Sequence, residues 1–185
     1  KLFFDGSRRS TTGQVGCGFV LEAADGTLLA RGGRKMGATA SINVAEYHGL
    51  LLGMETAKTL HITELTGIGD SNVIIDQVCG NTQCLSMELF HLRQESWRLL
   101  GGMGYVEMAW VPRAQNRQAD REANYYALQA SEEFNTAAHH NLKRGKHSCC
   151  YCTLDGQSLL DRCKMQRTAK HSHPKESIIL DQHPL

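Results

Sequence analysis

With 185 residues, 41% of them hydrophobic and 21% charged, the chain can bury one good core plus an appendage, and its composition is ordinary for a globular protein. No window approaches the roughly 18 consecutive apolar residues of a membrane span, and no basic-then-apolar signal segment opens the chain, so no membrane role is expected and an intracellular setting is. The formal net charge of +1 hides an asymmetry: residues 1–134 carry 12 Lys+Arg against 15 Asp+Glu, whereas 135–185 carry 8 against 4. That division predicts a compact α/β domain over 1–134 and a basic, Cys/His-containing, mostly flexible tail over 135–185. The seven cysteines are an odd number, with Cys149, Cys150, Cys152 and Cys163 crowded into the tail. This argues against a disulfide framework.

Leu2-Phe3-Phe4 reads as a buried strand that stops at Asp5 and turns at Gly6-Ser7. Because Lys1 leads straight into it with no initiator Met, the chain reads as a fragment of a longer polypeptide with a fused or upstream partner. Residues 8–13 are a Ser/Thr/Gly-rich turn, Val15–Leu21 a second strand, Ala24-Asp25-Gly26-Thr27 a hairpin and Thr27–Lys35 a third strand. Three closely connected strands make an antiparallel meander.

The period then changes. Glu46, Gly49/Leu50, Gly53/Met54, Ala57 and Leu60 recur at three- and four-residue spacing, predicting a helix over Asn43–Leu60. Glu64–Gly69 is a short strand ending at Asp70, followed by a short helix over Ser71–Val78. A longer amphipathic helix spans Leu85–Leu100, with Leu85, Leu89, Leu92, Trp97 and Leu100 as its buried candidates, and Gly101-Gly102 stops it. Tyr105–Val111 is the fifth strand and Pro112–Gln115 a loop. Asn116 is placed to cap a last helix whose Ala119, Ala123, Ala127 and Ala130 form a slim packing face. The order implies a mixed five-stranded sheet covered by helices. Right-handed crossovers set the fourth strand parallel to the first and beside it.

That adjacency brings Asp5 and Asp70 to one sheet edge, since neighbouring strands lie about 4.8 Å apart. Glu46 and Asp120, on inward helix faces, complete a set of four carboxylates. Each alone has a simpler reading: turn formers for the aspartates after strands, first-turn partners of the helix dipole for the other two. Together they form the hard-oxygen environment that suits Mg²⁺ or Mn²⁺, with charge enough for two ions about 4 Å apart.

Phe4-Asp5-Gly6-Ser7, Asn43-Val44-Ala45-Glu46, Gly69-Asp70-Ser71-Asn72 and Asn116 to Ala123, in this order and spacing, resemble the type 1 ribonuclease H family over residues 1 to about 130. The resemblance implies hydrolysis of the RNA strand of an RNA/DNA hybrid by a two-metal-ion mechanism, leaving a 3′ hydroxyl and a 5′ phosphate. It implies that Asp5 bridges the ions, that Asp120 completes the site of the water-activating ion, and that Glu46 and Asp70 hold the other. Asn43 and Asn72 match positions where the family uses an amide near the RNA 2′ hydroxyls, with helix capping as their simpler reading. Gly6, Ser7 and Ser71 lie in the same blocks and are carried over as substrate contacts. Many members place a His before the last Asp; here the loop has none and offers Arg113, as archaeal-type and plant-type members do. An Arg there acts electrostatically on phosphate and not as a base. Between Gln83 and Gly101 there are only Arg93 and Arg98 where some members carry a basic helix, so modest affinity is expected. The alternative is a binding module of the same fold with little activity.

The tail offers Cys149-x-x-Cys152, Cys163, His171 and His173, a possible but irregular Zn²⁺ set. It also carries the basic run Lys143-Arg144-Gly145-Lys146-His147.

Overall fold

A computed structural model describes residues 1–129; the tail with its Cys/His set and basic run, and Ala130, lie outside the described residues. Strand β1 (Leu2–Arg8) pairs antiparallel with β2 (Val15–Glu22), and β2 pairs antiparallel with β3 (Leu28–Gly37). Helix α1 (Ile42–Thr59) then crosses over so that β4 (Glu64–Gly69) pairs parallel with β1, Leu2 opposite Gly67 and Phe3 opposite Ile68. Helices α2 (Asn72–Val78) and α3 (Met87–Leu100) lead to β5 (Tyr105–Trp110), parallel to β4. A single 3-10 turn, Arg113–Gln115, enters α4 (Arg117–Leu128). The sheet order β3-β2-β1-β4-β5 is the expected mixed five-stranded sheet.

Side chains alternate across a strand, and β1 divides its residues between two layers. Leu2 and Phe4 are fully buried in the main core with Tyr47, Leu50 and Met54 of α1 and Ile74, Leu100 and Met108. Asp5 and Ser7 turn to the other face, which α4 covers with Ala119, Ala123 and Ala127. The slim alanine face fits because β2 has no side chains beneath it at Gly16 and Gly18. A Cβ on Gly18 would lie 2.3 Å from the Ala123 nitrogen and one on Gly16 2.4 Å from the Ala127 nitrogen. The helix backbone therefore rests directly on the strand.

Three local expectations are corrected. β1 does not end at Asp5: Asp5, Gly6 and Ser7 pair with Gly18, Cys17 and Gly16. Gly6 is there because α1 passes so close that a Cβ would meet the Glu46 nitrogen at 2.7 Å. Leu85 is 98% exposed, because α3 starts at Met87 with Ser86 accepting the Leu89 amide as its cap. Leu60 ends the α1 stripe 47% exposed, where the helix has already stopped.

Candidate metal centre

The carboxylates are delivered by four elements. Asp5 sits in the middle of β1, Glu46 one turn into α1, Asp70 just past β4, and Asp120 in the first turn of α4. Ligand oxygens of Asp5, Glu46 and Asp70 all lie within 4.8 Å of one another. Asp5 is 1% and Glu46 6% exposed. One oxygen of each, Asp5 Oδ2 and Glu46 Oε2, is buried with no hydrogen-bond partner. Buried carboxyl oxygens without partners are costly, and oxygen donors converging at this distance make the environment that a divalent cation takes. This donor set fits Mg²⁺ or Mn²⁺.

Electrostatics records the same crowding. Burial first, then the charges of Asp70 and Asp120, raise the Asp5 carboxyl from its ordinary 3.8 to about 7. Burial, then Asp5 and Asp70, hold Glu46 well above the usual carboxylate range. Asp120 lies outside the 4.8 Å set but within electrostatic reach of Asp5. Its carboxylate pairs with Arg113, whose side chain is 68% exposed.

Two asparagines organise these acids. Asn116 is fully buried and does not cap α4 with its side chain. Its Nδ2 instead donates to the Phe4 carbonyl at 2.9 Å and to Asp70 Oδ1 at 2.8 Å, which joins the start of α4 to β1 and to the end of β4. Trp110 Nε1 adds a bond to the Asp70 carbonyl at 2.9 Å. Asn124 Nδ2 donates to the Asp120 carbonyl at 2.8 Å and to Asp120 Oδ2 at 3.1 Å, while its Oδ1 accepts from the Ser7 hydroxyl at 2.8 Å. Asp120 is thus held between Arg113 on one oxygen and Asn124 on the other.

Asn116 has a cap's position in the sequence, and Asn124 carries no mark of its own there. The available signal was spacing: residues 116, 120 and 124 share one helix face at four-residue intervals. Ser7 is 6% exposed and engaged with Asn124, and Gly6 is buried under α1. Asn43 and Asn72 are not caps. Ser41 caps α1 by accepting the Val44 amide, Ser71 occupies the cap position of α2, and both asparagines sit inside the first turns.

A family model described as reverse transcriptase-like matches residues 3–126. The bifunctional protein Rv2228c of Mycobacterium tuberculosis is 36% identical over 121 residues, 65% of this chain and 33% of the relative. The ribonuclease HI of Halobacterium salinarum is 34% identical over 122 residues, 66% of this chain and 61% of the relative. The chain thus spans about a third of the length of the mycobacterial relatives it matches. The solved N-terminal RNase H domain of Rv2228c superposes with a TM-score of 0.64 at 35% identity, covering 68% of this chain and 91% of that one. LC11-RNase H1, solved in complex with an RNA/DNA hybrid, shares the fold at a TM-score of 0.62 and 22% identity, covering 67% and 93%.

Proposed function

The chain belongs to the reverse transcriptase-like family as a type 1 ribonuclease H domain, and from that premise we propose that it hydrolyses the RNA strand of RNA/DNA hybrids. The observation that carries the reading is the meeting of Asp5, Glu46 and Asp70 within 4.8 Å with buried, unpartnered oxygens on two of them. Asp5 would be shared by two ions, with Glu46 and Asp70 holding one and Asp120 completing the other. Mg²⁺ or Mn²⁺ so held would supply an activated water and charge neutralisation at the departing 3′ oxygen.

The chain's own residues supply orientation and charge. Asn116 fixes which Asp70 oxygen is free by occupying the other, while Asn124 and Arg113 hold the two oxygens of Asp120 and so set its orientation. Outer hydrogen bonds of this kind set carboxylate orientation before an ion arrives. Arg113 stays cationic at any working pH and presents its guanidinium beside Asp120, where it can meet a phosphate oxygen. Asn43 and Asn72, on the first turns of α1 and α2, remain the amides proposed to read 2′ hydroxyls.

The test is cleavage of a labelled RNA/DNA hybrid, with RNA/RNA and DNA/DNA duplexes as controls, at millimolar Mg²⁺ or Mn²⁺. Wild type should cut only the RNA strand of the hybrid, leaving 3′ hydroxyl and 5′ phosphate ends, and Asp5→Asn should not cut. No cleavage by wild type with either ion would overturn the reading in favour of a binding module.

A further inference from the structure

Beyond the carboxylates, Arg113, Ala114, Arg117, Asp120 and Arg121 line an open cavity of about 430 Å³ at the start of α4. Arg117 and Arg121 are one helical turn apart, with side chains roughly 6 Å from each other, and both are exposed. Neither makes an ion pair among the described residues, whereas Arg113 pairs with Asp120. The cavity therefore gathers three guanidinium groups against one carboxylate.

Helix stability does not account for the placement. The first turn of a helix is its positive end, and a cation there is unfavourable, yet Arg117 is the first residue of α4 and Arg113 lies just before it. Guanidinium forks match phosphate oxygens in pairs. Asp120 is the wall the cavity shares with the metal centre, since it lines the cavity and also acts on Asp5. An anion seated among the arginines would thus lie next to the reacting phosphate, with acids and ions on one side of Asp120 and arginines on the other.

Resting on the proposed nuclease activity, we infer that Arg113, Arg117 and Arg121 form a subsite for a phosphodiester of the cleaved RNA strand flanking the scissile one. The subsite fixes the strand's path over the start of α4. It also gives the acidic domain a local cationic grip where α3 offers little.

Arg117→Ala/Arg121→Ala removes two exposed side chains, and an unchanged melting temperature verifies the fold. Steady-state cleavage of a short RNA/DNA hybrid by this variant should show KM raised about tenfold and kcat lowered by less than about threefold, while Lys58→Ala at the far end of α1 changes neither. In an Asp5→Asn background, which permits binding without cutting, the slope of log affinity for the same hybrid against log salt should fall by about 1 to 2. A neutral methylphosphonate stepped along the RNA strand, and separately along the DNA strand, should raise the wild-type KM about tenfold at one RNA position flanking the cut, with no further rise in the double variant. Wild-type cleavage with no KM change in the double variant, or interference confined to the DNA strand, would overturn the subsite and leave the nuclease standing. Absence of cleavage by wild type would instead remove the activity on which it rests.

Discussion

Ser7 and Asp120, on β1 and α4, are joined through one amide: the Ser7 hydroxyl donates to Asn124 Oδ1 and Asn124 Nδ2 donates to Asp120 Oδ2. An ionised carboxylate only accepts, so the amide must face Asp120 with its NH₂ and Ser7 with its oxygen. Neither Leu nor Asp at position 124 reproduces that polarity. Asn124→Leu is expected to raise the half-saturating Mg²⁺ concentration about tenfold, the lower end of what loss of an outer hydrogen bond costs, with cleavage largely recovered at saturating metal. Asn124→Asp should be worse, since it sets a second carboxylate beside Asp120. A metal titration of cleavage, paired with calorimetric Mn²⁺ binding, checks this; unchanged metal dependence in both variants would sink it.

Asp5→Asn should separate stability from function. It removes a buried charge that faces Asp70 and Asp120, so the metal-free variant is expected to melt higher than wild type at pH 8, by on the order of 5 °C, while losing cleavage. Thermal melts in a chelator provide the measurement. A variant that melts lower than wild type would mean that the acidic cluster does not strain the metal-free fold.

Stability of the metal-free protein should fall as pH rises. Asp5 releases its proton at about 7 in the folded chain and near 3.8 when unfolded, and Glu46 is shifted in the same direction. Below about 4 both states are protonated and the contribution is fully present. Between 4 and 7 the unfolded state binds fewer protons, so each step up in pH favours unfolding, and above 7 the contribution is gone. Melting temperatures without metal should therefore decline from pH 5 to pH 8, and millimolar Mg²⁺ should recover much of the loss at pH 8 by binding only the folded state. A melting temperature that rises over this range, or ignores Mg²⁺ at pH 8, would contradict the assignment.

Gly18→Ala should harm the centre without touching it. The added methyl would lie 2.3 Å from the Ala123 nitrogen and 2.7 Å from the Glu122 carbonyl carbon, and since these are helix backbone atoms, α4 must lift. A cost of about 1 to 3 kcal/mol is typical of such overpacking. Asp120, one turn from Ala123, moves with the helix, so kcat should drop more than tenfold at temperatures where the variant is still fully folded by circular dichroism. Activity that simply tracks the folded fraction would show that Asp120 tolerates the shift.

The arrangement of β1 to β5 was legible because short apolar runs separated by turn chemistry, and a helical period between them, fix element type. The crossover rule then placed β4 beside β1. The acids stood out because a carboxylate closing an apolar run or heading an apolar stripe is conspicuous. What escaped depends on contacts across the fold. Gly6 looks like a turn until α1 is seen lying against it. Asn116 has a cap's position, but its side chain is drawn to Phe4 and Asp70. Asn124 lies mid-helix, where an amide announces nothing until Ser7 and Asp120 stand on either side of it.

Asn116 bonds to a carbonyl 112 residues earlier and to a carboxylate 46 residues earlier, and Asp120 and Asn124 follow it on the same helix. During synthesis from the amino end, β1, α1 and β4 are all made before any of these three residues exists. A nascent chain halted ahead of α4 holds its acids without the amides that orient them and without the fourth carboxylate. Under the proposed activity, competence for hydrolysis would therefore wait until α4 docks on β2, and a chain interrupted before that point should not cut.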